Sequence, residues 1–146
     1  MKSTNAYAAK RAIIDRFDTL SKVVGHPLEG VQVTDSYPRD LADRSIYGGG
    51  ARFTQDQESA EPGLLRFETV TTGLYVRVLQ AGEVRDVEAA LEALGDIVAD
   101  VLAEDPDLGG EMTFLQIAAG SADFYPTDSG IEAILALSVQ VESHLD

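Results

Sequence analysis

Ala6, Ala9, Ile13, Phe17, Leu20 and Val24 recur at intervals of three and four, the spacing that lays one apolar stripe along a helix. Ser3, Thr4 or Asn5 stands where an N-cap belongs. Gly25 followed by Pro27 supplies the stop, since glycine accepts the left-handed conformation after a helix and proline cannot continue one. The pattern predicts a helix over about residues 5–24. That segment carries Lys10, Arg11, Arg16 and Lys22 against Asp15 and Asp18, which makes it a locally basic element suited to an acidic neighbour. The same period returns at Val84, Val87, Leu91, Leu94, Val98 and Val101, with alanines between that favour helix and Asp105-Pro106 closing the run. A second helix over residues 84–104 follows.

Elsewhere the period is two. Gly30–Thr34 alternates and stops at the turn-rich Asp35-Ser36-Tyr37-Pro38, which reads as a short strand. Ser45-Ile46-Tyr47 opens another that runs through Gly48, Gly49 and Gly50 into Ala51-Arg52-Phe53, and three glycines in a strand predict a bulge, a bend or the close approach of another backbone. Thr54–Gly63 has no large apolar residue and ends in Pro-Gly, so it reads as an exposed loop. Leu64–Gln80, rich in β-branched and aromatic residues, reads as one long strand with Gly73 at its irregular point. Glu111–Gly120 reads as a strand, Ser121–Gly130 as a loop, and Ile131–Glu142 as a last strand with Ala133, Leu135, Leu137, Val139 and Val141 on its buried side. The order α-β-β-β-α-β-β, with hairpin-like neighbours and no repeated βαβ unit, predicts an α+β fold: one domain over residues 1–146, an antiparallel or mixed sheet, and both helices packed on one face.

Composition keeps this picture and narrows the partners. A chain of 146 residues with 45% hydrophobic and 25% charged residues lies in the globular range. It has no cysteine, which excludes disulfides, thiolate metal sites and a cysteine nucleophile. No apolar run approaches the ~18–20 residues that span a bilayer, and the N-terminal stretch lacks the apolar core of a secretory signal, so the expectation is a soluble intracellular product. The net charge is −14, from 25 acids against 11 bases. All the lysines and arginines lie at or before Arg85, so the whole excess of acid falls in Asp86–Asp146. Such a field repels phosphate backbones and anionic membranes alike, which argues against nucleic-acid and membrane binding and for a basic partner or a surface that DNA slides past. Acidity that simply keeps a small protein soluble is the plainer alternative.

Candidate chemistry is thin. Gly48–Gly50 is the one glycine-rich segment, and it has neither the lysine of a P-loop nor the glycine-to-helix context of a dinucleotide fold. His26 and His144 stand near opposite ends of the chain without a metal-ligand spacing. Asp105, Asp107 and Glu111 lack the alternation of a calcium loop, and Ser121 has no evident base beside it. The sequence therefore predicts no catalytic, metal or cofactor residue. More specific is an acidic ladder on the second helix, Glu88, Glu92, Asp96, Asp100 and Glu104, spaced by four. Like charges at that spacing cost about 0.2–0.5 kcal/mol per pair, on the order of 1–2 kcal/mol for the ladder before salt screening. A solvated face is one reading. A face kept negative toward a DNA channel or a basic docking surface, through Glu92, Asp96, Asp100 and Glu104, is the other.

The whole chain resembles the tail terminator proteins of long-tailed bacteriophages, also called tail completion or minor tail proteins. The resemblance rests on the element order, on Val31-Gln-Val-Thr-Asp-Ser-Tyr-Pro38 followed by Ile46-Tyr-Gly-Gly-Gly50, on Ala103-Glu-Asp-Pro-Asp-Leu-Gly-Gly110 closing the second helix, and on a final alternating strand. It implies a non-enzymatic virion protein, assembled in the host cytoplasm, with no cofactor and no sequence-specific nucleic-acid or membrane binding. Such a protein forms a homo-oligomeric ring, typically a hexamer, at the head-proximal end of the tail tube. There it halts tube polymerisation and joins the tail to the neck, so its partners are itself, the tail tube protein and a neck or head-completion protein. Gly48, Gly49 and Gly50, with Gln55, Asp56, Gln57 and Glu58 of the polar loop, are the expected interface residues. Two alternatives stand beside this: another ring-forming neck or tail-tube protein, and a small acidic ligand-binding module or enzyme built on Gly48–Gly50 with Tyr47 or Tyr125.

Overall fold

The structure, a computed structural model, describes residues 3–57, 66–108 and 114–145. Helix α1 is Ala6–Ser21 and α2 is Val84–Glu104; the strands are β1 Gln32–Thr34, β2 Arg44–Gln57, β3 Arg66–Gln80, β4 Phe114–Thr127 and β5 Gly130–Leu145. They form one five-stranded sheet in the order β1-β2-β3-β5-β4. β1 runs parallel to β2, and every other pair is antiparallel. The fold is the expected α+β arrangement with a mixed sheet.

Both helices cover the same face. Val70, Leu74, Val76 and Val78 of β3 and Ala133, Leu137, Val139 and Val141 of β5 point into one core with Ile13 and Phe17 of α1 and Leu91, Leu94 and Val98 of α2. That is period two on the strands meeting period 3.6 on the helices. Two ends of the expected stripes fall away. Helix α1 stops at Ser21, short of residue 24, because the Ser21 hydroxyl donates to the Asp18 carbonyl (2.6 Å) and the Ser21 carbonyl accepts the Gly30 N–H (3.0 Å). Val24 is consequently exposed. Val84, at the first turn of α2, is exposed as well. Asp86 in that turn accepts the Glu83 N–H at 3.3 Å and sets a negative charge at the positive end of the helix.

The strands depart more from the pattern. Residues 54–57 belong to β2 and not to a loop, in register with β3 through Gln57 opposite Arg66, and the rest of that expected loop lies outside the described residues. Ser121–Thr127, also expected as loop, continues β4, and the turn shrinks to Asp128 and Ser129. Pro126 is tolerated there because β4 is an edge strand. The irregularity expected at Gly73 lies across from it: β3 pairs with β5 without interruption, whereas β2 bulges between Gly48 and Ala51. Glycine is required at two of these positions. A Cβ on Gly48 would stand 2.6 Å from the Asp35 carbonyl oxygen, and one on Gly49 would stand 2.7 Å from the Tyr75 ring.

Candidate assembly surfaces

The sheet face without helices has a covered end and an open end. Residues 35–43, which join β1 to β2, fold over the first end. The Gln32 amide donates to the Asp40 carbonyl (2.8 Å), and its oxygen accepts the Ala42 N–H (2.9 Å) and the Ser45 hydroxyl (3.0 Å). Arg77 is buried here although no helix covers it. Its Nε pairs with Glu132 at 2.7 Å and its Nη1 donates to the Ala42 carbonyl at 2.9 Å. Tyr47 stacks on Tyr75 with ring centroids 5.1 Å apart and meets Tyr37 edge-on at 5.5 Å. Burial, reinforced by Tyr37 and Glu132 and opposed by Arg77, raises the Tyr47 pKa. Farther along, Thr69, Thr71, Gly73, Ser138 and Gln140 are half-buried.

A second buried polar cluster ties the start of α1 to the sheet. The Glu68 carboxylate, almost fully buried, accepts the Asn5 N–H (2.7 Å) and the Gln55 amide (2.8 Å), while the Asn5 amide donates to the Ser143 hydroxyl (3.2 Å) and the His144 carbonyl (3.1 Å). Thr4, and not Asn5, supplies the hydroxyl that accepts the Ala6 N–H (3.0 Å). Glu68, the one acid of β3, is the sequence signal for this cluster, and Asn5, brought to it from 63 positions away in sequence, is not visible there.

The expected interface residues divide. Gly48 is buried under Asp35, Gly49 is half-buried against Tyr75, and Gly50 is exposed. Asp56 is exposed, Gln55 is half-buried and engaged with Glu68, Gln57 ends β2, and Glu58 lies outside the described residues. Glu88, Glu92, Asp96, Asp100 and Glu104 are all exposed on α2. Among the described residues the largest uncovered element is β4: it pairs on one side only, and across its 14 residues Leu115 alone is buried and Phe124 half-buried. Ile117, Phe114 and Tyr125 are among its exposed side chains.

Among the described residues no group of three His, Asp or Glu is placed to hold a metal ion, and no helix is long and apolar enough to cross a membrane. Tyr47, proposed as part of a ligand module, is sealed by Tyr37 and Tyr75, and Tyr125 lies on the exposed edge strand far along the sheet order from it. Gly48–Gly50 and these tyrosines therefore do not form one pocket.

Comparison with solved structures finds a whole-length likeness. A chain from the virion of a native gene transfer agent (GTA) particle matches with a TM-score of 0.59 at 14% identity, over 99% of this chain and 100% of that one. The two share a fold. No family model matches the sequence, and neither does any curated protein.

Proposed function

We propose that this chain is a structural protein of a phage-type virion, which closes into a ring at the head-proximal end of the tail tube, ends tube growth and presents the surface that the neck binds. The observation that carries the reading is the end-to-end likeness to a chain whose particle is a GTA virion. Support comes from an edge strand of 14 residues whose outer side meets no other strand among the described residues, the kind of feature that monomeric proteins blunt and assemblies use. The strongly acidic second half suits a ring through which DNA passes without adhering. In this role the chain acts by contact, with no catalysis and no cofactor.

Electron microscopy of the purified protein mixed with tail tubes tests the reading. The expected image is a ring of identical copies seated at one end of each tube, with tube lengthening stopped. Rings that add along the tube instead assign the chain to the tube or neck, the nearest alternative. Tubes that stay bare and keep growing overturn the proposal.

A further inference from the structure

The sheet order converts a charge asymmetry along the chain into one across the molecule. With β3 in the middle, β1 and β2 lie on one flank beneath α1, and β5 and β4 lie on the other beneath α2. The acidic half of the sequence, from Asp86 onward, is thus the second flank, and α1 with its Lys10, Arg11, Arg16 and Lys22 belongs to the first.

Lys10, Arg11 and Arg16 of α1 have no ion pair among the described residues. Among the described residues the one ion pair on this helix is the exposed Lys22–Asp18 contact at 3.0 Å. Arg11 and Arg16 line a groove between α1 and the turn at Asp105–Leu108, together with Ala8, Asp15 and Thr19. Arg11 is exposed, and the Arg16 Nε is shut off from water without a hydrogen-bond partner. Arg11, being exposed, can take a carboxylate from outside the chain, and the half-buried Arg16 stands beside it along the same groove.

We propose that copies of this chain meet flank to flank, with the acidic face of α2 in one copy, centred on Asp96 and Asp100, set against Arg11 and Arg16 of α1 in the next. The inference rests on the ring reading and names its contact. One surface meeting a different surface on the next copy is a heterologous contact, which closes into a ring when the rotation between copies divides the circle. It also explains why α2 keeps a ladder of like charges at i,i+4: the repulsion within one helix is relieved by the cations of the neighbour. Pairing of this kind is salt-sensitive, since the screening length falls from about 8 Å at physiological ionic strength to about 3 Å at 1 M.

Charge exchange tests the contact. The full-length protein is compared with Arg11→Glu, with Arg11→Glu/Arg16→Glu, with Asp96→Lys/Asp100→Lys, and with the combination of both reversals, by sedimentation at low and high salt and with circular dichroism to check folding. The expected result is that each reversal weakens self-association by at least about tenfold, that the combination restores it, and that the wild-type protein loses association as salt rises. Because Arg16 is partly enclosed, Arg11→Glu with Asp100→Lys serves as the second exchange should Arg16→Glu unfold the chain. Association that ignores both reversals overturns the contact and leaves the ladder to solvent or a DNA channel, with the ring reading intact. Reversals that each abolish association without recovery in the combination overturn it too. A wild-type chain that stays monomeric at every salt and on tail tubes overturns both this contact and the ring.

Discussion

Strands β2 and β4 invite comparison, because each has 14 residues and one register shift and each lies toward a side of the sheet. β2 is locked from within. Ser45, Ile46, Tyr47 and Gly48 are buried, residues 35–43 fold over its start, and the close contacts of its glycines are with Asp35 and Tyr75 of the same chain. β4 has none of this. Its shift falls at Ala118, and the small residues around it, Ala119, Gly120, Ser121 and Ala122, meet solvent. The lesson is that a glycine-rich strand can be complete in itself, whereas a strand of ordinary composition can be left unfinished. Stability belongs to the first, and the proposed ring would draw on the second.

Changes on the β2 side should lower the stability of the protein. Phe17, fully buried where α1 crosses the sheet, becomes a cavity in Phe17→Ala, and the expected loss is about 3–5 kcal/mol in a urea titration. Next in size is Glu68→Ala, which orphans the buried Asn5 N–H. A lost hydrogen bond to a charged group, with its partner left unsatisfied, predicts about 2–3 kcal/mol and fraying at the start of α1, readable by hydrogen exchange. Gly48→Ala should cost about 1–3 kcal/mol, since backbone and not a flexible side chain stands in its way.

The β4 side should behave in the opposite sense. Ala122→Lys, on the exposed edge, is expected to change the stability of the isolated subunit by less than about 0.5 kcal/mol and yet to prevent ring formation, because a lysine there blunts an edge. Comparable losses of stability from Ala122→Lys and Gly48→Ala would erase the contrast between the strands. The smallest effect is a pH dependence. Tyr47 has its pKa raised in the folded state, so the unfolded chain ionises first; the stability contributed by the neutral phenol is intact below about pH 10 and is lost as pH rises through the folded value. Tyr47→Phe should flatten that alkaline decline in urea midpoints measured from about pH 9 to about pH 11.

Hydropathy made the helices and the core face of the sheet readable, because Ile13, Phe17, Leu91, Leu94 and the odd positions of β5 bury one continuous surface and burial is what the pattern records. It misplaced Thr54–Gln57 and Ser121–Thr127 for one reason. Both lie in strands with little or no burial, held by backbone pairing that leaves no trace in side-chain polarity. The Gly48–Gly50 bulge was legible as an irregularity, but its cause, the Asp35 carbonyl and the Tyr75 ring, is tertiary. The acidic ladder was legible outright. The groove that Arg11 and Arg16 line with Asp15 needed the turn at Asp105–Leu108 brought against α1.

In the proposed role, identical copies of this chain close into a ring. Native mass spectrometry of the purified protein, at low salt and with and without tail tubes, tests it most directly. The expected result is one closed species of several identical chains, six by the resemblance to tail terminators, present in solution or on the tube and dissociating as salt rises. A single-chain mass under every condition, with tubes present and absent, would contradict it.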